Sequence, residues 1–136
     1  MPGQPSTPGA NKMLDALTGR ATQTAGTTFL ALSTTAPTDS ALGAELTVAG
    51  TNGYNRQTVA WSAPTGDPSS TNNTALITFG PFTADLGIVT HIMLMDVLTA
   101  GTAPNCLAYW TADVAKDPAN GDSITIAIGA LVMTAD

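Results

Sequence analysis

Between Ile88 and Leu98 the chain carries an almost unbroken apolar run, interrupted only by Thr90, His91 and Asp96. Gly87 and Gly101 bound it, its opening Ile88-Val89-Thr90 is β-branched, and no N-cap residue precedes it. Met and Leu would also suit a helix. The β-branched start favours a strand over residues 87–96, buried on both faces. Every neighbouring segment is more polar or more alternating, so those segments are expected to form the layers that cover this one.

Shorter strands follow from the same reading. Residues 27–34 (TTFLALST) centre on Phe29 and Leu30 and end before Pro37. Residues 54–62 alternate, with Tyr54, Arg56, Thr58 and Ala60 on one side and Gln57, Val59 and Trp61 on the other. Residues 74–79 stop at Gly80-Pro81, and residues 106–112 follow a Gly-Thr-Ala-Pro-Asn turn. Residues 122–128 place Ile124, Ile126 and Ile128 inward, and residues 130–134 close the set. Residues 38–53 read as loop with a weak strand around 45–48, and residues 63–73 and 113–121 read as loops rich in Pro, Gly, Asp, Ser and Asn. One short helix is predicted over residues 11–19, capped by Asn11, ended by Gly19, with Met13, Leu14 and Leu17 on one side. So short a helix holds only by docking that side. Residues 1–10 (MPGQPSTPGA) read as an extended Pro/Gly-rich arm too poor in apolar surface to fold alone. The fold class predicted is all-β: an antiparallel, jelly-roll-like β-sandwich over residues 11–136, with one short N-terminal helix and the arm. Deleting the arm is expected to leave that sandwich folded.

Composition narrows the function. The chain has 136 residues, 43% of them hydrophobic but only 10% charged, against a usual quarter. Thr and Ala replace the charge, at roughly a third of the chain. Such faces suit packed neighbours better than a free monomer. The net charge is −6, and Lys12, Arg20, Arg56 and Lys116 are the only cations; no phosphate-binding stripe can be built from them, which argues against direct nucleic-acid binding. Cys106 is the single cysteine and reads as a buried structural thiol. No apolar run is long enough to span a bilayer and no leader is visible, so synthesis in the cytoplasm without membrane association is expected.

Candidate chemistry is sparse. His91, the only histidine, sits mid-strand, and neither Ser33 nor Asp96 comes with a nucleophile-elbow sequence, so a hydrogen-bonded core histidine is expected. Asp85, Asp96, Asp113, Asp117 and Asp122 fall at turns and strand ends, with no spacing that selects a glycosidase pair. Residues 117–122 (DPANGD) lack the acidic spacing and terminal Glu of a calcium loop. Asn72-Asn73-Thr74 is a glycosylation sequon without a secretory route. Tyr54, Trp61, Tyr109 and Trp110 suit either a sugar groove or a core, with core expected for at least one tryptophan. No enzyme is expected, and no catalytic, metal-binding or cofactor-binding residue is assigned.

Several segments in order carry a family likeness: Asn11-Lys12 with Leu14-Asp15 and Gly19; Phe29 to Thr34, then Pro37; Glu45, Gly53-Tyr54, Arg56-Gln57, Val59 and Trp61; Asn73-Thr74-Ala75 with Ile77-Thr78-Phe79; Gly87, Val89-Thr90-His91 and Asp96; Leu107-Ala108-Tyr109, Gly121-Asp122 and Gly129-Ala130-Leu131. From Asn11 onward the chain resembles a family of small tailed-bacteriophage virion proteins labelled minor capsid/decoration or tail fibre-like proteins. The resemblance implies a β-rich structural protein of the virion without catalysis. A fibre needs a shaft, normally coiled-coil, triple β-helical or collagen-like, and none is legible here. Acidity suits an outer shell surface. The expectation is therefore a capsid decoration protein that binds the outer shell and stabilises the head. Its expected partners are the major capsid protein lattice and copies of itself, as trimer or dimer, with the arm crossing to a neighbour. The alternative is a tail fibre or tail-tip component that recognises host-surface glycan.

Overall fold

The structure, a computed structural model, describes residues 1–22 and 26–135. Among these, the elements in chain order are β1 (Pro2–Pro5), α1 (Thr7–Leu17), β2 (Thr28–Ser33), β3 (Gln57–Val59), β4 (Ser69–Asn72), β5 (Ile77–Phe79), β6 (Val89–Met95), β7 (Cys106–Lys116), β8 (Ile124–Ile126) and β9 (Val132–Ala135). The central apolar run is β6. It lies between β2 and β7, antiparallel to both, with Ile92 opposite Leu32 on one side and Trp110 on the other. Successive strand residues point to opposite faces, so the three strands feed two cores. Leu30, Leu32, Ile92, Leu94, Ala108 and Trp110 belong to the larger one. Ala31, Met93, Met95 and Cys106 form a smaller one on the reverse.

Seven strands make one mixed sheet in the order β3-β2-β6-β7-β1-β9-β4. Its two edge strands continue into a single hairpin. Past β3 and β4, Trp61 bridges Asn73, Ser62 N donates to Asn72 O (2.8 Å) and Thr74 N to Ala60 O (2.9 Å). The sheet therefore curls until its edges meet, which removes most of the exposed edge an open sheet would carry. The pair β5–β8 closes the larger core with Ile77, Phe79, Ile124 and Ile126. The result is the expected all-β, sandwich-like fold with one short helix.

The start of the chain departs from the expectation of a free arm. Pro2–Pro5 is a strand inside the sheet, parallel to β9 (Pro2 opposite Val132) and antiparallel to β7 (Gln4 opposite Tyr109). This one parallel pairing makes the sheet mixed rather than wholly antiparallel. The helix begins at Thr7, not Asn11. Ser6 is its N-cap, accepting a bond from Gly9 N, and Pro8 occupies the first turn, where a missing N–H costs nothing. Ser6 Oγ also donates to Cys106 O, and Ser6 N to Leu107 O (2.9 Å). Two glycines permit the close fit: a Cβ on Gly3 would fall inside the Trp110 indole, and one on Gly9 would strike Leu107 O.

Other differences have local causes. β4 forms from Ser69-Ser70-Thr71-Asn72, a polar stretch within the predicted loop, because β9 supplies its partner along four residues. The predicted strand over 54–62 keeps ladder pairing only at Gln57–Val59; Tyr54 and Arg56 are buried while Thr58 and Ala60 are exposed. Ile128, expected inward, is exposed, since β8 ends at Ile126 and a turn donates Ala130 N to Ala127 O.

Candidate functional site

Among the buried polar groups of the described residues, Asn73 and Arg56 each centre a knot of hydrogen bonds that fastens separate segments. Asn73, fully buried, accepts Leu131 N at Oδ1 (2.9 Å) and donates through Nδ2 to Ala75 O (3.0 Å) and Ala127 O (2.9 Å). Its side chain ties the seam of the curled sheet to the segment between β8 and β9, leaving no polar atom unpaired.

The second knot joins Glu45, the chain's one glutamate, to Tyr54 and Arg56. Arg56 is buried and forks onto Glu45, Nε to Oε1 (2.9 Å) and Nη2 to Oε2 (2.8 Å). Its other donors reach Val97 O (2.9 Å) and Ala100 O (2.7 Å) beyond the end of β6. Tyr54 OH donates to Glu45 Oε1 (2.7 Å) and accepts Leu32 N (3.0 Å). Burial first, and then the Glu45 charge, push the Tyr54 hydroxyl far above the usual tyrosine range, so it stays protonated and works as a donor. The bond to Glu45 likewise holds the Arg56 guanidinium protonated. Planar, bidentate pairing is the use for which arginine is better suited than lysine. With its donors and acceptors committed internally, this trio fastens the 45, 54–56 and 97–100 segments to β2. Both partners stood in the sequence as an unusual lone glutamate and one of four cations, but nothing in their spacing signalled the contact.

Residues weighed for chemistry are dispersed. Ser33 and His91 are cross-strand neighbours, yet Ser33 Oγ is shared between Thr35 O (2.7 Å) and Ala44 O (2.9 Å). His91 Nδ1 lies 2.8 Å from Thr90 Oγ1, and partial burial lowers its pKa. Asp96 pairs with Lys12 (2.9 Å) and accepts Asn105 Nδ2 (2.8 Å). In the 117–122 loop, Asp122 Oδ2 accepts Ala119 N (3.0 Å) and Asp85 accepts Asn120 N (2.9 Å), as turn carboxylates do. No group of three His, Cys, Asp or Glu side chains converges among the described residues. None of the described helices is long and apolar enough to cross a membrane.

The four aromatics divide. Tyr54 stacks on Phe79 (6.1 Å) and Trp110 on Trp61 (5.9 Å), and both Tyr54 and Trp110 are buried in the larger core. Trp61 and Tyr109 are half-buried. Because Tyr109 and Trp110 are consecutive in β7, Tyr109 faces away from the Trp61–Trp110 stack. The four side chains therefore do not share one groove. Tyr109 alone borders an open cavity of about 400 Å³ with Gln4, Thr111 and Asp113.

A family model described as Podophage GP4 fiber I protein gp80 matches residues 4–134. The chain belongs to this family. It is thus a bacteriophage virion structural protein, and the match runs from within β1, through the helix, into β9. No curated protein matches the sequence.

Proposed function

We propose that this chain is a non-catalytic structural subunit of a virion fibre, working through the surfaces it offers to other virion proteins. The observation that carries this reading is the fibre-family match across residues 4–134. The internally satisfied polar knots support it, since they stiffen the body of the subunit. A fibre assembled from such curled bodies needs no shaft within each chain. Decoration of the outer head shell, on the major capsid lattice, is the competing address, favoured by the compact body without a shaft. Gold-labelled antibody against the chain, applied to intact particles, separates the two. Label confined to the appendages is expected; label spread over the head would overturn the fibre assignment in favour of decoration.

A second reading, recognition of host-surface glycan, has one specific support: Tyr109 with Gln4, Thr111 and Asp113 around the open cavity. An aromatic face beside amide, hydroxyl and carboxylate groups suits a sugar ring. Glycan-array binding lost in Tyr109→Ala, with thermal unfolding unchanged, would establish it. No binding by the native chain would remove it.

A further inference from the structure

The face of β7 that carries Tyr109 is polar, and it is built on paired strands. Alternation puts Tyr109 and Thr111 on the same side of β7. Directly opposite residues of neighbouring strands share a face, so Gln4 of β1 stands beside Tyr109 and His91 of β6 beside Thr111. β1 pairs with β7 at Ala108 and Tyr109. Past that pairing opens the cavity of about 400 Å³ bordered by Pro2, Gln4, Tyr109, Thr111 and Asp113. Its volume lies in the range of small-molecule sites, roughly 300–1,000 Å³. β1, β6 and β7 are interior strands of the sheet, and strands hold a site more firmly than loops do.

Charge selects the ligand. Asp113 is the one charged side chain around the cavity. The cations are committed elsewhere: Lys12 to Asp96 (2.9 Å), Arg20 to Asp15 (2.7 Å) and Arg56 to Glu45 (2.8 Å). Lys116 borders a different cavity, with Ile124 and Ile126. His91 adds no positive charge at neutral pH, because partial burial disfavours its protonated form. Binding a sialic acid, a uronic acid or a sugar phosphate draws on charge-assisted bonds from Arg or Lys. Here such an anion would meet a carboxylate in a chain of net charge −6. An uncharged ring meets no such cost. Its C–H face can lie on Tyr109 while its hydroxyls donate to Asp113 and bond the Gln4 amide and the Thr111 hydroxyl. We infer that this face binds neutral pyranose sugars and rejects their acidic counterparts, with Asp113 setting the discrimination. The inference rests on the glycan reading of Tyr109 and adds the class of ligand.

Isothermal titration of the purified full chain with matched oligosaccharide pairs tests it, each neutral glycan set against its sialylated or uronate-bearing form. The neutral member is expected to bind at least about tenfold tighter. Asp113→Lys should erase or reverse that preference with melting unchanged, since Asp113 is exposed. Asp117→Lys, an exposed carboxylate outside the cavity, should leave the preference intact. Equal binding of both members, or a preference that Asp113→Lys does not move, overturns the ligand class and leaves glycan recognition standing. No binding of either member removes the glycan reading and this inference with it, while the fibre assignment stands.

Discussion

Arg56 shows how one residue decides the local fold. Its guanidinium holds Glu45, Val97 and Ala100 at once, and the Glu45 carboxylate takes its hydrogen bonds from Arg56 and Tyr54. Arg56→Met would strand a partly buried carboxylate and two carbonyls. A loss of about 3 kcal/mol is expected by urea unfolding, since removing one partner of a buried pair leaves the other uncompensated. The double change Arg56→Met with Glu45→Met should recover a large part of that loss. Cys106 gives a pH prediction. Burial raises its thiol to about 11, above the ordinary value of about 8.5. A group whose folded pKa is raised stabilises the fold below the unfolded pKa and loses that contribution as pH climbs. Native stability should therefore fall between about pH 8.5 and 11, and Cys106→Ala should flatten that fall. At pH 8 the native thiol should resist alkylation until the chain is unfolded.

The element with most consequence is β1. It is four residues long and two of them are prolines, yet it sits between β7 and β9 and joins the two halves of the sheet. The expectation that residues 1–10 can be deleted without unfolding does not survive that position. Deleting residues 1–5 should expose the β7 and β9 edges and abolish cooperative unfolding, seen by circular dichroism. Gly3→Ala, which drives a methyl into the Trp110 ring, should cost about 1–3 kcal/mol as overpacking does. β6 was legible because both its faces are buried and both are apolar. β1 was not, because its pairing is supplied by β7 and β9, more than 100 residues away in sequence, and Pro-Gly composition carries no strand signal. The capping Ser6 with Pro8 did signal a helix start, and a reading centred on Asn11 passed over it. β4 was missed for the reason that hid β1: four polar residues become a strand only through their partner.

At the scale of the molecule, the sheet curls because β3 and β4, its two edges, are arms of one hairpin, and Asn73 locks that seam. No sequence period reports such closure. The Glu45–Arg56 pair and the exposed helix face needed coordinates. Low charge and Thr/Ala-rich composition pointed to packed neighbours, and Met13, Leu14 and Leu17 of α1 are exposed. Cryo-electron microscopy of the intact phage tests the central claim most directly. The account predicts curled β-bodies of this chain within the fibre. Copies spread over the head shell and absent from the fibre would contradict it.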